Sequence, residues 1–317
     1  MISVIVPTFN SEKFIRDCLR SLVMQDYPAG QYEVIVADNG STDATVRIVE
    51  EFPVTVLKDV AGTVSRLRNE AVRAAKGDIL AFIDSDCIAP LTWLSDAVDI
   101  LEKKAVGVAG CWYALPENPT WVQKIWDMQM SSKREEGFAA WVPSGNCVMR
   151  KAVFDESGGF DEGLQTGEDL EMCRRIRDKG YRIYSAPVLA VKHLGEAATV
   201  KEFFRKQRWH GIGGVQRFVR EFPRFIFDKT MVFAVILLMS VIGLGVSVVL
   251  KDPEFFYYCL VAACLIPFGM TVRTMIRGKR CGCAVLLFFL YLVFGLARMS
   301  ALLDLKLWIS ELKYKFS

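Results

Sequence analysis

At 317 residues the chain has room for one large domain or two modest ones. Its formal net charge of +3 is too mild for a nucleic-acid binder, and 52% hydrophobic residues with a positive mean hydropathy exceed what a soluble enzyme carries. The apolar content is uneven: residues 1–228 read as an ordinary charged globular protein, and long uncharged runs dominate the remainder. Nine cysteines form no C-x-x-C pair, and Cys281-Gly-Cys283 has the wrong spacing for a zinc knuckle, so reduced core thiols are expected. The opening MISVIVPTFN lacks a basic leader and reads as a strand starting at residue 2, not as a signal peptide.

ISVIV (2–6) is a β-branched apolar run of the kind a parallel strand buried on both faces requires. It stops at Pro7-Thr8-Phe9-Asn10, and a helix capped by Asn10 or Ser11 follows, with Phe14, Ile15, Cys18, Leu19, Leu22 and Val23 at helical spacing. YEVIVADNGSTD (32–43) repeats the scheme: a strand ending in Asp38-Asn39-Gly40-Ser41, then a helix turning Val46, Val49 and Phe52 inward. VTVL (54–57) is a short strand, GTVSRLRNEAVRAAKG (62–77) a helix closed by Gly77, and ILAFIDSD (79–86) a strand driven into two carboxylates. Such alternation predicts a doubly wound α/β domain whose ligands bind beyond the carboxyl ends of the strands. Thr8–Asn10, Asp38–Ser41 and Asp84–Asp86 all stand at such ends and are expected to line one crevice.

Side chains two apart on a strand face the same way, so Asp84 and Asp86 can point together into that crevice. Two adjacent carboxylates without a counterion repel and lose hydration, a penalty of several kcal/mol in order of magnitude, about that of other buried charges. A divalent cation removes it, and oxygen ligands of this type suit Mg²⁺ or Mn²⁺ with a phosphate-bearing substrate. A solvated turn or helix cap is the plain alternative for an isolated D-x-D.

VIVPTFN, VADNGSTD, RNEAVRAAKGDILAFIDSD, SGNCVMRKAVFDESGGFDE and GEDLEMCRRIRDKGYRI, in this order over about residues 1–215, resemble family 2 glycosyltransferases with a GT-A fold. The resemblance implies that Pro7, Thr8 and Asn10 form the first nucleotide contact and that Asp38, with Asn39 beside it, bonds the base or ribose. It assigns Arg68 to the diphosphate, which a guanidinium can grip through two oxygens, although a solvated helix face also explains it. It assigns Asp86 directly to the metal, and Asp84, with Ser85 between them, to the ribose or a metal-bound water.

Farther along, Trp141-Val-Pro-Ser-Gly-Asn146 fits the wall seen by donor sugar and acceptor, with Ser144 and Asn146 for hydrogen bonding and Trp141 as a flat face or as core. Gly158-Gly159 marks a turn. Glu168 and Asp169 open an amphipathic helix ending at Gly180, where the helix dipole alone can account for acids. The resemblance makes Asp169 the general base of an inverting transfer and Glu168 its support. Leu189, Val191 and His193 read as one strand face. A lone histidine is often structural, but some members of the family use one here as a metal ligand. Arg208-Trp209 remain from the Q-x-x-R-W of processive synthases, with Arg205 in place of the glutamine, which argues against long-chain polymerisation and leaves both as candidate pocket residues.

Residues 200–229 hold eight Lys/Arg against three acids, interleaved with Phe203, Phe204, Trp209, Phe218, Phe222, Phe225 and Phe227. That mixture predicts basic amphipathic helices in the headgroup layer. Three apolar runs follow, 230–250, 255–272 and 281–303, the first about 31 Å long as a helix and sufficient to span a bilayer. A basic tail closes the chain. The basic flank at 224–229 and loop at 273–280, against KDPE (251–254), place residues 1–228 in the cytoplasm. The expected organisation is a catalytic domain at 1–199, interfacial helices at 200–229 and a multi-pass membrane region at 230–317. The expected activity moves a sugar from a nucleotide-diphosphate donor to a lipid-linked or other membrane-borne hydroxyl, using Mn²⁺ or Mg²⁺. A polyprenyl-phosphate acceptor is the alternative. A nucleotidyltransferase is disfavoured because VIVPTFNS has no long glycine-rich loop.

Overall fold

The computed structural model describes residues 1–221, 229–278 and 282–316. The chain divides into two compact units, Met1–Asn118 with Lys133–Glu196, and Pro119–Ser132 with Ala197–Ser317.

In the first unit the strands and helices run β1 (Ile2–Thr8), α1 (Ile15–Val23), β2 (Tyr32–Asp38), α2 (Thr45–Val49), β3 (Thr55–Leu57), α3 (Val64–Ala74), β4 (Ile79–Ile83), β5 (Cys87–Ile88), α4 (Trp93–Lys103) and β6 (Val108–Gly110). After α5 (Trp121–Met130), which belongs to the second unit, come β7 (Gly137–Ala139), β8 (Asn146–Arg150), α6 (Lys151–Ser157), α7 (Glu168–Asp178), β9 (Ile183–Ser185) and β10 (Lys192–His193). Eight strands form one sheet in the order β3-β2-β1-β4-β8-β6-β9-β7, and β10 pairs with β5 in a small second ladder. β3, β2, β1 and β4 are parallel throughout, whereas β8 runs antiparallel to β4 and β6. This is the mostly parallel sheet expected.

The apolar runs bury both faces of the sheet. Along β1, Val4 and Val6 join one core cluster and Ile5 the other; along β4, Ala81 and Ile83 oppose Leu80 and Phe82 in the same way. Fully buried Trp93 fills the first cluster, and Phe82, Phe154 and Phe160 pack ring on ring in the second. Burying one such side chain is worth roughly 1.5–3 kcal/mol.

Local details depart from the sequence reading. α1 has no side-chain cap: the carbonyl of Ser11 accepts from Phe14 and Ile15, while its hydroxyl is engaged elsewhere. α2 turns Thr45, Ile48 and Val49 inward and leaves Val46 half-buried. α3 ends at Ala74, and Gly77 is not its cap. A Cβ there would stand 2.6 Å from Ser3 N and 2.8 Å from Ile2 C, so the glycine lets the chain pass against β1. The segment before His193 is no continuous strand: Pro187–Leu189 form a 3-10 turn. Gly158 and Gly159 do turn the chain, both with left-handed φ.

The second unit is helical: α5, α8 (Val200–Glu221), α9 (Lys229–Leu250), α10 (Pro253–Gly278), α11 (Ala284–Leu302) and α12 (Leu305–Phe316). α9, α10 through Arg277, and α11 are long and apolar enough to cross a membrane. Residues 273–278, expected in a loop, continue α10, and the expected tail is the helix α12. Phe203 is 2% exposed against Trp126, a core residue and no membrane wedge. Phe222, Phe225 and Phe227 lie outside the described residues, as does Cys281. Buried polar contacts tie these helices: Tyr291 donates to Gln129 Oε1 (3.1 Å) and shares a hydrogen bond with Thr274, and Arg220 pairs with Glu311 (2.7 Å).

Candidate active site

Because β2, β1 and β4 lie side by side and parallel, their carboxyl ends open on one edge of the sheet. The polar clusters meet there, as expected. Thr8 stands opposite Asp38 in the ladder, and Ser11 Oγ lies 2.9 Å from Ser85 Oγ, joining the loop after β1 to the one after β4. Pro7 is buried within the ladder. Thr8 is 3% exposed and its Oγ1 has no hydrogen-bond partner, a polar atom left for a ligand. Asn10 takes a left-handed φ of 47°, from which its Oδ1 accepts from Thr42 N at 2.9 Å. Both Asp38 oxygens accept from Ser41, from the amide at 2.9 Å and the hydroxyl at 2.5 Å, an Asx-type turn that leaves lone pairs for a further donor. Asn39 Oδ1 accepts from Gly62 N (3.0 Å) and fastens the loop before α3.

The centre is organised by Arg68. This side chain on α3 is buried, donating from Nη1 to Glu168 Oε1 (2.9 Å) and from Nη2 to Asp84 Oδ1 (2.7 Å). One guanidinium therefore neutralises an acid from β4 and an acid from α7, which keeps its own pKa raised despite the burial. It holds carboxylates, so the solvated helix face is excluded. Ser144 Oγ also donates to Glu168 Oε1 (3.0 Å), and Tyr113 Oη to Asp84 Oδ2 (3.1 Å). Gly145 is required here, because a Cβ would run into the Asp84 carboxylate.

Asp86 faces His193: Oδ2 lies 3.1 Å from Nε2, and Nδ1 lies 2.9 Å from Glu196 Oε1. Gly195 makes room for Asp86 as Gly145 does for Asp84. The Asp86, Cys87 and His193 donor atoms fall within 4.8 Å of one another. Burial and the neighbouring Asp86 charge push the Cys87 thiol well above its usual range, leaving carboxylate and imidazole as the donor pair. That pair, with Glu196 behind the imidazole, fits a divalent cation.

Asp169 stands in the first turn of α7, partly exposed, with Leu170 N on its Oδ1 (2.7 Å). Desolvation, then the charge of Glu168, raise its pKa to about 7, a value suited to a base working near neutrality. Trp141 meets Trp112 edge to face, centroids 4.7 Å apart.

A family model described as glycosyl transferase family 2 matches residues 3–158. Residues 3–158 are a family 2 glycosyltransferase domain. The chain is 29% identical over 226 residues to the glycosyltransferase AglE of Haloferax volcanii, covering 68% of this chain and 73% of that one. It is 24% identical over 232 residues to a dolichyl N-acetyl-α-D-glucosaminyl phosphate 3-β-D-2,3-diacetamido-2,3-dideoxy-β-D-glucuronosyltransferase of Methanococcus voltae, covering 66% and 71%. Among solved structures, the mannosyltransferase PcManGT of Pyrobaculum calidifontis, in complex with GDP-Man and Mn²⁺, superposes with a TM-score of 0.60 at 20% identity, over 96% of this chain and 87% of that one. The last likeness shows the GT-A fold.

Within the transferase domain, one residue read as a pocket contact serves the scaffold. Asn146 is fully buried. Its amide donates to Cys111 O (3.0 Å) and Leu189 O (2.7 Å) and its Oδ1 accepts from Trp93 Nε1 (3.0 Å), so it joins β8 to its neighbours and does not face the pocket. Asn69 clamps the turn at Phe160 and Glu162. Arg208 and Trp209 sit in the second unit on α8, where Arg208 pairs with Asp304 (2.7 Å) and Trp209 is exposed. Sequence reasoning missed Tyr113, Trp112, Lys133, Gly195 and Glu196. The glutamate three residues after His193 and the Trp112-Tyr113 pair were legible signals, but nothing local showed where they point.

Proposed function

We propose that the chain is a metal-dependent inverting glycosyltransferase. It would transfer a sugar from a nucleoside-diphosphate donor to the hydroxyl of a lipid-linked saccharide at a membrane surface. The observation that carries this reading is the constellation at the strand ends: Asp86 against His193, and Asp84 bridged through Arg68 to Glu168, with Asp169 next along α7.

Asp86 and His193 would hold the cation, and a mixed oxygen and nitrogen pair favours Mn²⁺ over Mg²⁺. Mn²⁺ or Mg²⁺ held there supplies Lewis-acid stabilisation of the diphosphate leaving group. Thr8, Asn10, Asp38 and Asn39 line the loops offered to the nucleotide. Arg68 keeps Asp84 and Glu168 oriented without repulsion. Asp169 takes the acceptor proton on the face opposite the departing diphosphate. A phosphate acceptor is already an anion and needs no base, so Asp169 favours a hydroxyl over a polyprenyl phosphate.

The three long apolar helices support a membrane anchor, with the transferase domain on the cytoplasmic side by the charge of the flanking segments. Division at residues 199 and 229 into catalytic, interfacial and spanning parts belongs to the same proposal. A tethered site meets a bilayer-confined acceptor at high effective concentration. The relative from Methanococcus voltae, whose name specifies a dolichyl-linked sugar phosphate, supports an acceptor of that kind.

The test is a donor screen on the detergent-purified chain, following release of nucleoside diphosphate with Mn²⁺, Mg²⁺ or chelator. One donor turned over with metal, and silence with chelator or in Asp86→Asn, is expected. Activity untouched by chelator overturns the metal assignment, and near-normal turnover in Asp169→Asn overturns the hydroxyl acceptor.

A further inference from the structure

Lys133 belongs to the 3-10 turn Ser131–Arg134. Its carbonyl accepts from Ser185 Oγ (3.4 Å), and the adjacent Arg134 donates to Tyr113 O (2.7 Å). The ammonium stands 3.8 Å from the centroid of the Trp112 ring and 5.6 Å from that of Trp141. No carboxylate among the described residues forms an ion pair with it. The side chain is exposed, yet desolvation lowers its pKa to about 8, with the charge of Asp169 opposing the fall.

An indole face attracts a cation but offers its N–H groups no lone-pair acceptor, so the ammonium can exchange its hydration for an anionic oxygen without breaking a protein hydrogen bond. Both indoles keep partial exposure and meet edge to face, an apolar corner of the kind that accepts a sugar ring. The corner adjoins the reacting centre, since Trp141 lies three residues before Ser144, which touches Glu168, and Lys133 feels the charge of Asp169.

We infer that Lys133, Trp112 and Trp141 form an acceptor subsite for a saccharide bearing an anionic group, a carboxylate or a phosphate. The indoles lie against the ring, and the ammonium leaves the Trp112 face to bond the anion. This rests on the reading of Asp169 as the acceptor's base, because that reading makes the adjoining corner the acceptor side.

Binding of three probes to the detergent-purified full chain, by calorimetry in EDTA so that no cation recruits them, tests the inference. The probes are methyl β-glucuronide, glucose 1-phosphate and neutral methyl β-glucoside. One charge-assisted contact predicts at least one anionic probe binding about tenfold tighter than the neutral one. Lys133→Gln is expected to erase that preference, and Lys133→Arg to keep it. Whichever anionic probe wins identifies the source of the charge. Equal binding of all three, or a preference that survives Lys133→Gln, overturns the subsite. A pH profile of turnover shifted by Lys133→Gln without loss of the preference does so too, and reduces Lys133 to a neighbour that tunes Asp169. Because no donor or metal is present, failure of the proposed transfer reaction leaves this result readable.

Discussion

Removing Arg68 is the most informative single perturbation. Replacing it with methionine keeps most of the side-chain volume and deletes the charge that two carboxylates share. The two arms differ in weight. Glu168 is 8% exposed at its side chain and Asp84 27%. The Asp84 arm, partly wet, is worth about 0.5–1 kcal/mol as a near-surface pair. The Glu168 arm joins two groups shielded from water, and breaking such a pair from one side costs about 3–5 kcal/mol because the other charge stays buried. Ser144 still donates to Glu168, which offsets part of that loss. A net loss near 3 kcal/mol corresponds to a fall of about 6–12 °C in the melting temperature of a unit this size. Thermal unfolding of the full chain in detergent, followed by intrinsic fluorescence, reads it. Arg68→Lys holds one acid at a time and is expected between wild type and Arg68→Met. A shift below about 2 °C for Arg68→Met refutes the argument that the acids depend on this guanidinium.

The remaining expectations address separate parts of the site. Asp169, raised to about 7 from an ordinary 3.8, makes the folded chain hold a proton that the unfolded chain has released. Its contribution to stability is therefore full below about pH 4 and lost as pH rises through about 7, while turnover climbs over the same upper range. Asp169→Asn is expected to flatten that fall in melting temperature and to lower turnover about 10²–10⁴-fold, checked by paired melting and rate profiles. Tyr113→Phe keeps the ring stacked on His193 at 4.5 Å but loses the hydroxyl on Asp84. Titration of donor nucleotide with Mn²⁺ is expected to weaken about tenfold, and further in Tyr113→Ala; no change in either variant removes Tyr113 from the support of Asp84 and His193. Gly77→Ala drives a methyl into the backbone of β1 and is expected to destabilise by about 1–3 kcal/mol, whereas a glycine that merely capped α3 would tolerate alanine better.

The neighbours these variants probe explain how far local reading reaches. Strand–helix alternation, the polar residues at the ends of β1, β2 and β4 and the three apolar runs were all legible, because each is set by periodicity or composition within a few residues. Asn146 shows the limit. Its type and its place beside Ser144 suggested a pocket, but strand register turned it into the core, onto Trp93, Cys111 and Leu189. Asn69 similarly follows Arg68 on α3, yet one residue is about 100° of helix, enough to separate a site residue from a clamp on the turn at Phe160.

What the chain determined by itself is therefore the sheet, the apolar helices and the residue types at the strand ends, since side-chain period and hydrophobicity act locally. Which side chains meet was decided only by the tertiary structure. Arg68 reaches Glu168 across 100 positions and His193 reaches Asp86 across 107. Lys133 settles over Trp112 in the same manner. Such contacts depend on strand order and the packing of α3 and α7, which no short window of residues encodes.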